Sequence, residues 1–266
     1  MQNILILGGT GKTGRRVARH VGAAGRVAAR ATGFDLGEPA GWAPFLDGAT
    51  AVYLVEPNLQ AAARIPRFVT DAVAAGARRL VLLSAPRAGE PGHPLHAAEE
   101  AVRTAGVGWT ILRPNWFAQN FSEGPWWPGI RDGVLALPAG AGRVPFVDAE
   151  DIAEVAASAL TGDRHDGRIY ELTGPRAVGF AEATGLIAQA SGRKIDYVDV
   201  APEAFVERQT AHGVPVAVAR LLTGLLADLR EGRGADLADG VERALGRPAR
   251  RFEDFVAGTA WHRDLS

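Results

Sequence analysis

Four closely spaced glycines near the N-terminus have the pattern of a phosphate-binding turn. The run 7–14, L-G-G-T-G-K-T-G, reads as G-x-G-x-x-G from Gly9 and as G-x-x-G-x-x-G from Gly8. Glycine permits a tight turn, a close backbone approach to a pyrophosphate and tight packing of the following helix on the preceding strand. The N–H groups at the start of that helix would bind phosphate. We therefore predict a dinucleotide site, against the alternative of a structural turn in a chain with 33 glycines.

The same run contains Gly11-Lys12-Thr13, which is similar to the end of the phosphate loop of nucleoside triphosphatases. That loop requires a further glycine five positions before Gly11, and Ile6 stands there instead. The spacing therefore excludes a triphosphatase loop.

The kind of dinucleotide depends on the residue that follows the second predicted strand. NAD sites usually place an acidic residue about 20 positions after the glycines, where it binds the ribose hydroxyls. This sequence has Arg30 at that point, and its first acidic residue is Asp35. A guanidinium can bind a 2′-phosphate through two hydrogen bonds, whereas a carboxylate would repel it. We predict NADP(H), with Arg30 as the main determinant and Lys12 or Thr32 as helpers; the alternative for Arg30 is a solvated surface arginine.

Many dinucleotide-dependent reductases donate a proton from a Tyr-x-x-x-Lys pair, and this chain lacks that pair. None of the three tyrosines is followed by lysine at that spacing, and the only lysines are Lys12 and Lys194. The helix after the fourth predicted strand carries His96, Glu99 and Glu100 instead. A histidine there could protonate the atom left negative after hydride transfer, with a carboxylate orienting it. The alternative is a solvent-facing His–Glu pair at the start of a helix.

Short apolar runs alternate with helical patterns over the first two thirds of the chain, which indicates βαβ units and a parallel sheet. The predicted strands are 3–7, 26–29, 51–55, 79–84, 108–112, 143–147, 169–172 and 195–200, and predicted helices lie near 12–21, 60–75 and 93–105. We predict an α/β fold, namely a Rossmann-like doubly wound parallel sheet with a small, mainly helical C-terminal substrate lobe. Residues 1–150 are expected to form the NADP(H)-binding domain. Residues 151–266 are expected to form the last sheet strands and the lobe, which would not fold independently.

The composition excludes several classes of function. The 29 basic and 30 acidic residues leave a net charge of -1, so nucleic acid is not expected as the main partner. Without cysteine the chain forms neither disulfides nor thiolate metal sites, and no group of His, Asp and Glu has the spacing of a metal site. The start of the sequence lacks a signal-peptide pattern, and no apolar run is as long as a membrane span. We expect a cytoplasmic monomer or homodimer that binds a small-molecule substrate and no membrane.

Several runs of residues together carry the pattern of a known family. They are the glycine-rich run 8–14, Arg30, V-E-P at 55–57, G-V-G-W-T-I-L-R-P-N-W-F-A-Q-N-F at 106–121, V-P-F-V-D at 144–148, D-I-A at 151–153 and Y-E-L-T-G-P at 170–175. Over nearly the whole chain this pattern resembles the NmrA-like atypical short-chain dehydrogenase/reductase family. The resemblance implies a Rossmann-type sheet, an NADP(H) site at the C-terminal ends of the strands and a small substrate lobe. The family contains reductases of quinones, dyes, imines and natural-product intermediates, and also redox-sensing regulators that bind the dinucleotide without catalysis.

The resemblance also implies site residues. Ser84 ends the fourth strand, where related enzymes place a serine that touches the substrate or the nicotinamide ribose; the alternative is a serine that satisfies a turn. Pro114 and Asn115 follow the fifth strand and should lie beside the nicotinamide, with Arg113 fixing the turn through backbone carbonyls. Glu99 matches the acidic position of the family. The residues expected to bind the cofactor are Gly8, Thr10, Gly11, Lys12, Thr13, Gly14, Arg30, Val55, Pro57, Ser84, Pro114 and Asn115.

Aromatic residues crowd the segment that follows the fifth strand. Pro125 and Pro128 interrupt helical periodicity there, which favours a loop over a helix. Because ligand pockets are mainly apolar with a few polar groups, we predict a pocket for a flat or apolar substrate. The alternative is that these aromatic side chains only pack the lobe against the sheet. The residues expected to bind substrate are Trp116, Phe117, Asn120, Trp126 and Trp127.

These features together predict an NADP(H)-dependent oxidoreductase of the atypical short-chain reductase kind. It would transfer a hydride to a C=C, C=N, C=O or quinone group of a small aromatic or conjugated substrate, and the resemblance points to secondary metabolism. The candidate catalytic residues are His96, Glu99 and Ser84. The alternatives are a non-catalytic NADP(H)-sensing regulator and an NADP(H)-dependent isomerase or dehydratase.

Overall fold

Strands and helices alternate along most of the chain. The computed structural model describes residues 3–56, 58 and 63–261. The strands are β1 (Ile4–Leu7), β2 (Gly25–Ala28), β3 (Ala51–Leu54), β4 (Arg79–Leu83), β5 (Gly108–Pro114), β6 (Val134–Leu137), β7 (Arg143–Val144), β8 (Arg168–Leu172), β9 (Val178–Gly179) and β10 (Asp196–Asp199). The helices are α1 (Gly14–Val21), α2 (Ala43–Leu46), α3 (Arg64–Ala74), α4 (His96–Arg103), α5 (Asn120–Glu123), α6 (Trp127–Arg131), α7 (Ala149–Thr161), α8 (Phe180–Ser191), α9 (Pro202–Ala211), α10 (Val216–Arg230), α11 (Gly240–Leu245) and α12 (Phe252–Gly258). None of the described helices is long and apolar enough to cross a membrane.

Six of the strands form one parallel sheet in the order β2-β1-β3-β4-β5-β8. Helical segments connect successive strands, as parallel pairing requires. The order reverses between β1 and β3, and ligands of such open sheets bind at the reversal, beyond the C-terminal ends of the strands. The predicted α/β class with a doubly wound parallel sheet is confirmed, and the glycine-rich turn follows β1 at the reversal.

Both faces of this sheet are buried, which explains the continuous apolar runs in the central strands. Leu5, Val52 and Leu80 belong to one hydrophobic cluster with residues of α3 and α4. Their neighbours Ile6 and Val81 are equally buried and point to the opposite face, because side chains alternate along a strand. Helices α1 and α7 cover that opposite face.

Two short sheets lie outside the parallel sheet. Strand β6 pairs in parallel with β10, and β7 pairs antiparallel with β9. The sequence predicts a strand over 143–147, but β7 ends at Val144, because Pro145 has no N–H to continue a ladder. The sequence does not predict β6, a run of four residues that follows the left-handed Gly133 (φ 81°).

The chain divides into two compact units whose segments alternate along the sequence. The first unit comprises Met1–Pro114, Ala149–Leu172 and Asp239–Pro248 and contains the parallel sheet. The second comprises Asn115–Asp148, Thr173–Ala238 and Ala249–Ser266. The expected boundary at residue 150 lies beside the return of the chain to the first unit, but each unit consists of three segments rather than one continuous stretch. The alternation arises because α7 and β8 complete the sheet unit after the chain has built part of the second unit.

The segment Asp239–Pro248 is tied to the rest of the first unit by charge and by close packing. Arg247 donates a hydrogen bond of 2.8 Å to Asp151, which is fully buried in the first turn of α7, and also pairs with Glu154. At Gly240 a side chain would meet the backbone of Glu171, since an added Cβ would lie 2.9 Å from that carbonyl carbon. These contacts hold α11 against α7 and β8.

Replacing Arg247 with alanine tests this attachment. The Arg247→Ala variant removes one cation from a buried carboxylate, and because the Arg247 side chain is partly exposed we expect the free energy of unfolding to fall by about 2 kcal/mol. Arg103→Ala is the control, because Arg103 pairs with Glu100 on the protein surface and such pairs contribute about 0–1 kcal/mol. Urea unfolding of both variants measures the difference. Equal losses in the two variants would contradict the role assigned to Arg247.

Candidate active site

The glycine-rich turn has a backbone geometry that side chains would disrupt. Gly8 has φ 59°, and an added Cβ there would lie 2.8 Å from the Cγ1 atom of Val55. An added Cβ at Gly14 would lie 2.7 Å from the carbonyl carbon of Gly8 and still closer to its oxygen. That oxygen already accepts a hydrogen bond of 2.8 Å from the N–H of Gly11. The turn therefore keeps this shape only with glycine at positions 8 and 14.

The turn also packs tightly against the second strand. An added Cβ at Gly9 would lie 2.6 Å from the Cγ1 atom of Val27 in β2. Helix α1 begins at Gly14, and the N–H groups of its first turn have no acceptor within the helix; those of Arg15 and Arg16 donate to the carbonyls of Gly11 and Thr13 in the turn. Thr10 is exposed and Lys12 half-buried in the turn, and Thr13 is buried just before the helix. The turn thus has the shape and the donors of a diphosphate site.

Arg30 lies where the sequence predicts the determinant for NADP(H). It opens a short 3-10 turn, Arg30–Thr32, directly after the end of β2, and its side chain is exposed. The Thr32 hydroxyl stabilises this turn, because it accepts a hydrogen bond from the N–H of Ala29 (3.0 Å) and donates one to the Ala29 carbonyl (2.9 Å). Within the described parts of the chain, Arg30 forms no ion pair with a carboxylate. Its guanidinium is therefore available to an anionic ligand.

Residues just after β3 lie beside the glycine-rich turn. Val55 is the residue that an added Cβ at Gly8 would meet, so it lies directly beside the turn. Glu56 is buried, and its Oε1 atom accepts a hydrogen bond of 2.9 Å from the N–H of Asn58. Pro57, expected to bind the cofactor, lies outside the described residues.

A buried ionic network stands at the ends of β4 and β5. Ser84 donates a hydrogen bond of 2.6 Å to Oε1 of Glu99, and Arg113 donates to both Glu99 oxygens, at 2.9 and 2.6 Å. Arg113 also pairs with Glu171 at 3.0 Å, while the side chain of Glu99 is 1% exposed. The sequence predicts backbone carbonyls as the partners of Arg113; this is wrong for its guanidinium, which binds two carboxylates. Nothing in the sequence indicates that Arg113 pairs with Glu99 of α4 and Glu171 of β8.

The network keeps Glu99 ionised. Burial alone would raise the pKa of Glu99, but the hydrogen bonds from Arg113 and Ser84 bring it below its usual value. The hydrogen bond to Glu99 in turn raises the pKa of Arg113. Because Ser84 donates its hydroxyl hydrogen to Glu99, the Ser84 oxygen presents lone pairs to a ligand and acts as an acceptor.

Two histidines lie near the start of α4. His96 is half-buried, its Nδ1 atom is buried without a hydrogen-bond partner among the described residues, and it makes no hydrogen bond to Glu99 or Ser84. The Nδ1 atom of His93 accepts the N–H of Leu95 at 3.1 Å, so the proton of the neutral ring lies on Nε2. Burial lowers the pKa of His93, which favours the neutral ring.

Asn115 uses its side chain within the second unit. Its Oδ1 atom accepts the N–H of Trp116 at 2.7 Å, and its Nδ2 atom donates to the carbonyl of Gly234 at 3.2 Å. Pro114, the other residue expected beside the nicotinamide, is the last residue of β5. The amide of Asn115 thus fixes the chain where it leaves the sheet.

The aromatic residues of the second unit separate into buried and partly accessible rings. Trp126 is buried, with its ring centroid 4.8 Å from that of Phe121 and 5.1 Å from that of Phe180. It is therefore part of the hydrophobic core of this unit. Trp116 stacks on Trp126 at 5.3 Å but is only half-buried.

The other residues expected to bind substrate also include both partly accessible and buried side chains. Phe117 and Trp127 are half-buried, and Trp127 packs near Trp261 at 6.4 Å. Asn120 is buried, and its carbonyl accepts the N–H of Trp126 at 3.1 Å. The half-buried rings therefore retain surface that a ligand could contact.

No group of three or more His, Asp or Glu side chains in the described ranges could hold a metal ion.

Curated proteins of similar sequence include named reductases, an oxidoreductase and dehydrogenases. The chain is 35% identical to (4-alkanoyl-5-oxo-2,5-dihydrofuran-3-yl)methyl phosphate reductase of Streptomyces griseus, over 96% of this chain and 96% of that protein. It is 32% identical to the uncharacterized oxidoreductase YesF of Bacillus subtilis, over 97% and 95% of the two chains. It is 31% identical to the NAD(P)H azoreductase of Xenophilus azovorans, over 97% and 98%. No protein-family model matches the sequence.

Solved structures of similar fold include enzymes and a regulator. The NADPH-dependent quinone oxidoreductase of Escherichia coli, solved with NADPH, superposes with a TM-score of 0.79 at 22% identity, over 96% of this chain and 98% of that one. NmrA, a negative transcriptional regulator, superposes with a TM-score of 0.70 at 15% identity, over 97% and 96%. At these identities the likeness shows the fold alone. The sequence relatives, at 31% to 35% identity over nearly the whole chain, show that the chain belongs to the NmrA-like atypical short-chain dehydrogenase/reductase family, as the sequence predicts.

Proposed function

We propose that the protein is an NADP(H)-dependent reductase of a small aromatic or conjugated molecule, acting on a C=C, C=N, C=O or quinone group. The observation that carries this proposal is the glycine-rich turn at the strand-order reversal, where backbone contacts require Gly8 and Gly14. The relatives named as reductases support it. NADPH would supply the hydride.

The first unit contains groups that would bind the diphosphate and the 2′-phosphate of the cofactor. The N–H groups around Gly11 and at the start of α1 would bind the diphosphate, and the adjoining residues Thr10, Lys12 and Thr13 would line it. Arg30 would bind the 2′-phosphate, since its guanidinium is exposed and forms no ion pair within the described chain. The remaining proposed contacts are Val55, Pro57, Ser84, Pro114 and Asn115.

The three candidate catalytic residues divide into different roles. Ser84 would accept a hydrogen bond from a hydroxyl of the cofactor or substrate, because its own hydrogen is donated to Glu99. Glu99 would be a positioning residue, since an ionised carboxylate held by Arg113 has no proton to give. His96 would supply the proton, whereas His93, whose neutral ring is favoured by burial, would donate only a hydrogen bond through Nε2.

The half-buried aromatic rings of the second unit would contact the substrate. Trp116, Phe117 and Trp127 retain accessible surface, whereas Trp126 would support Trp116 from the core. Rings of this kind favour a flat or apolar substrate. A role in secondary metabolism, a cytoplasmic location and a monomeric or homodimeric state are further parts of the proposal.

Turnover of NADPH tests the function directly. We expect the protein to oxidise NADPH in the presence of at least one member of a panel of quinones, azo dyes, imines and enones, because these accept hydride at a conjugated centre. Loss of absorbance at the reduced nicotinamide band measures the rate, with boiled protein as the control. Tight NADP(H) binding without turnover of any member would favour a dinucleotide sensor. Turnover of a substrate without net loss of NADPH would favour an isomerase or dehydratase.

The Arg30→Ala variant tests the cofactor preference. The guanidinium would form charged hydrogen bonds to the 2′-phosphate, so we expect its loss to weaken NADPH binding by about tenfold or more. NADH lacks that phosphate, and its affinity should stay within about twofold. Calorimetric titration of each dinucleotide gives both values. Unchanged NADPH affinity would show that Arg30 does not bind the 2′-phosphate.

The Glu99→Gln variant separates positioning from proton transfer. We expect a loss of about 3 kcal/mol in the free energy of unfolding at pH 7, because Arg113 loses a buried charged partner. Because folding lowers the pKa of Glu99, this loss should be constant above the unfolded pKa of about 4.3 and shrink as the pH falls below it. The shape of the pH–rate profile from pH 5 to 9 should not change.

Glu100→Gln is the matched control, since the neighbouring Glu100 pairs with Arg103 at the surface and should change stability by less than about 1 kcal/mol. Urea unfolding at a series of pH values and the pH profile of kcat give the two readouts. Disappearance of one limb of the pH profile in Glu99→Gln would identify Glu99 as the proton donor instead.

A further inference from the structure

An arginine of α1 reaches back to the glycine-rich turn. The backbone N–H of Arg16 donates to the carbonyl of Thr13 at 3.0 Å, in the tight spacing of the first helical turn. The carbonyl of Lys12, one residue earlier in the turn, accepts a hydrogen bond of 2.7 Å from Nη1 of the Arg16 side chain. The guanidinium therefore binds the backbone at the middle of the turn, where the chain changes from turn to helix.

The other edge of the same guanidinium is fixed by a carboxylate far along the sequence. Nε of Arg16 donates to Oε1 of Glu150 at 2.9 Å, and Glu150 lies in the first turn of α7, 134 residues later. The Arg16 side chain is only 12% exposed. The guanidinium is thus held between two acceptors, and it has little freedom to leave the turn.

Glu150 is itself held by two further side chains of α1, Arg19 and His20. Arg19 donates to it at 2.6 Å, and Nε2 of His20 lies 3.3 Å from its Oε2 atom. Burial alone would raise the pKa of Glu150, but the hydrogen bonds from Arg19 and His20 bring it to about 2. The carboxylate is therefore charged at any pH at which the protein would work, and it provides a fixed anchor for Arg16.

We propose that Arg16 and Glu150 are positioning residues that hold the Lys12 carbonyl, and with it the glycine-rich turn, in the shape that binds the diphosphate of a dinucleotide. This inference rests on the proposed function only in naming the ligand. Neither side chain is needed to contact the cofactor. Arg16 acts by holding the Lys12 carbonyl, whose rotation toward the negatively charged phosphates would oppose binding, and preorganisation of this kind increases affinity.

Arg19 provides a matched control for Arg16. Arg19 also pairs with Glu150, but its side chain is 62% exposed and its hydrogen bonds in the structure go to the carboxylate rather than to the turn. Arg16→Ala and Arg19→Ala therefore each remove one cation from Glu150, and only the first removes the contact with the Lys12 carbonyl. A difference between them isolates the positioning role from a general loss of charge.

Calorimetric titration with NADP+ and steady-state kinetics provide the first test. We expect Arg16→Ala to raise the Kd for NADP+ and the KM for NADPH by about tenfold, the effect of one lost charged hydrogen bond. Its kcat at saturating NADPH should stay within about twofold of the wild type, and Arg19→Ala should leave all three constants within about twofold. Adding Glu150→Gln to Arg16→Ala should raise the Kd little further, because both act on the same contact.

Hydrogen–deuterium exchange of the protein without ligand provides the second test. The amides of residues 9–17 should exchange about tenfold faster in Arg16→Ala than in the wild type or Arg19→Ala, with thermal unfolding confirming that each variant is folded. Equal effects of the two arginine variants, or unchanged exchange and Kd in Arg16→Ala, would overturn the inference. If the wild type does not bind NADP+, the proposed function fails, and the exchange measurement still decides whether Arg16 holds the turn.

Discussion

The tight packing of Gly14, at the start of α1, against the carbonyl of Gly8, just after β1, is the constraint on which the candidate site depends. No side chain fits between them, and the Gly8 carbonyl is already bonded to the N–H of Gly11. This contact packs the start of the helix against the residue that follows the strand. Because β1 lies at the reversal of strand order, the turn lies in the region where dinucleotides bind in such sheets.

Two ionic networks then support groups that a ligand would meet. Glu150 anchors Arg16, which holds the turn at the Lys12 carbonyl. Glu99 accepts from both Arg113 and Ser84, which makes the Ser84 oxygen an acceptor. In each network a carboxylate with a lowered pKa stays ionised and gives no proton, so its contribution is to orient a neighbour rather than to react.

The sequence predicts the features that depend on local pattern and misses those that depend on long-range pairing. The glycine spacing and the apolar runs are enough to predict the parallel sheet and the turn. The partners of Arg16 and Arg113 are not predictable, because 29 basic residues can pair with 30 acidic ones and the folded chain makes the choice. Likewise, the crowding of aromatic residues cannot distinguish Trp126, which packs in a core, from Trp127, which keeps exposed surface.

A crystal structure of the protein with NADP+ would test whether the turn after β1 binds the diphosphate. We expect diphosphate oxygens within hydrogen-bond distance of N–H groups in residues 9–14 and the 2′-phosphate against Arg30. A diphosphate bound elsewhere, or a turn that stays empty at saturating NADP+, would contradict this proposal.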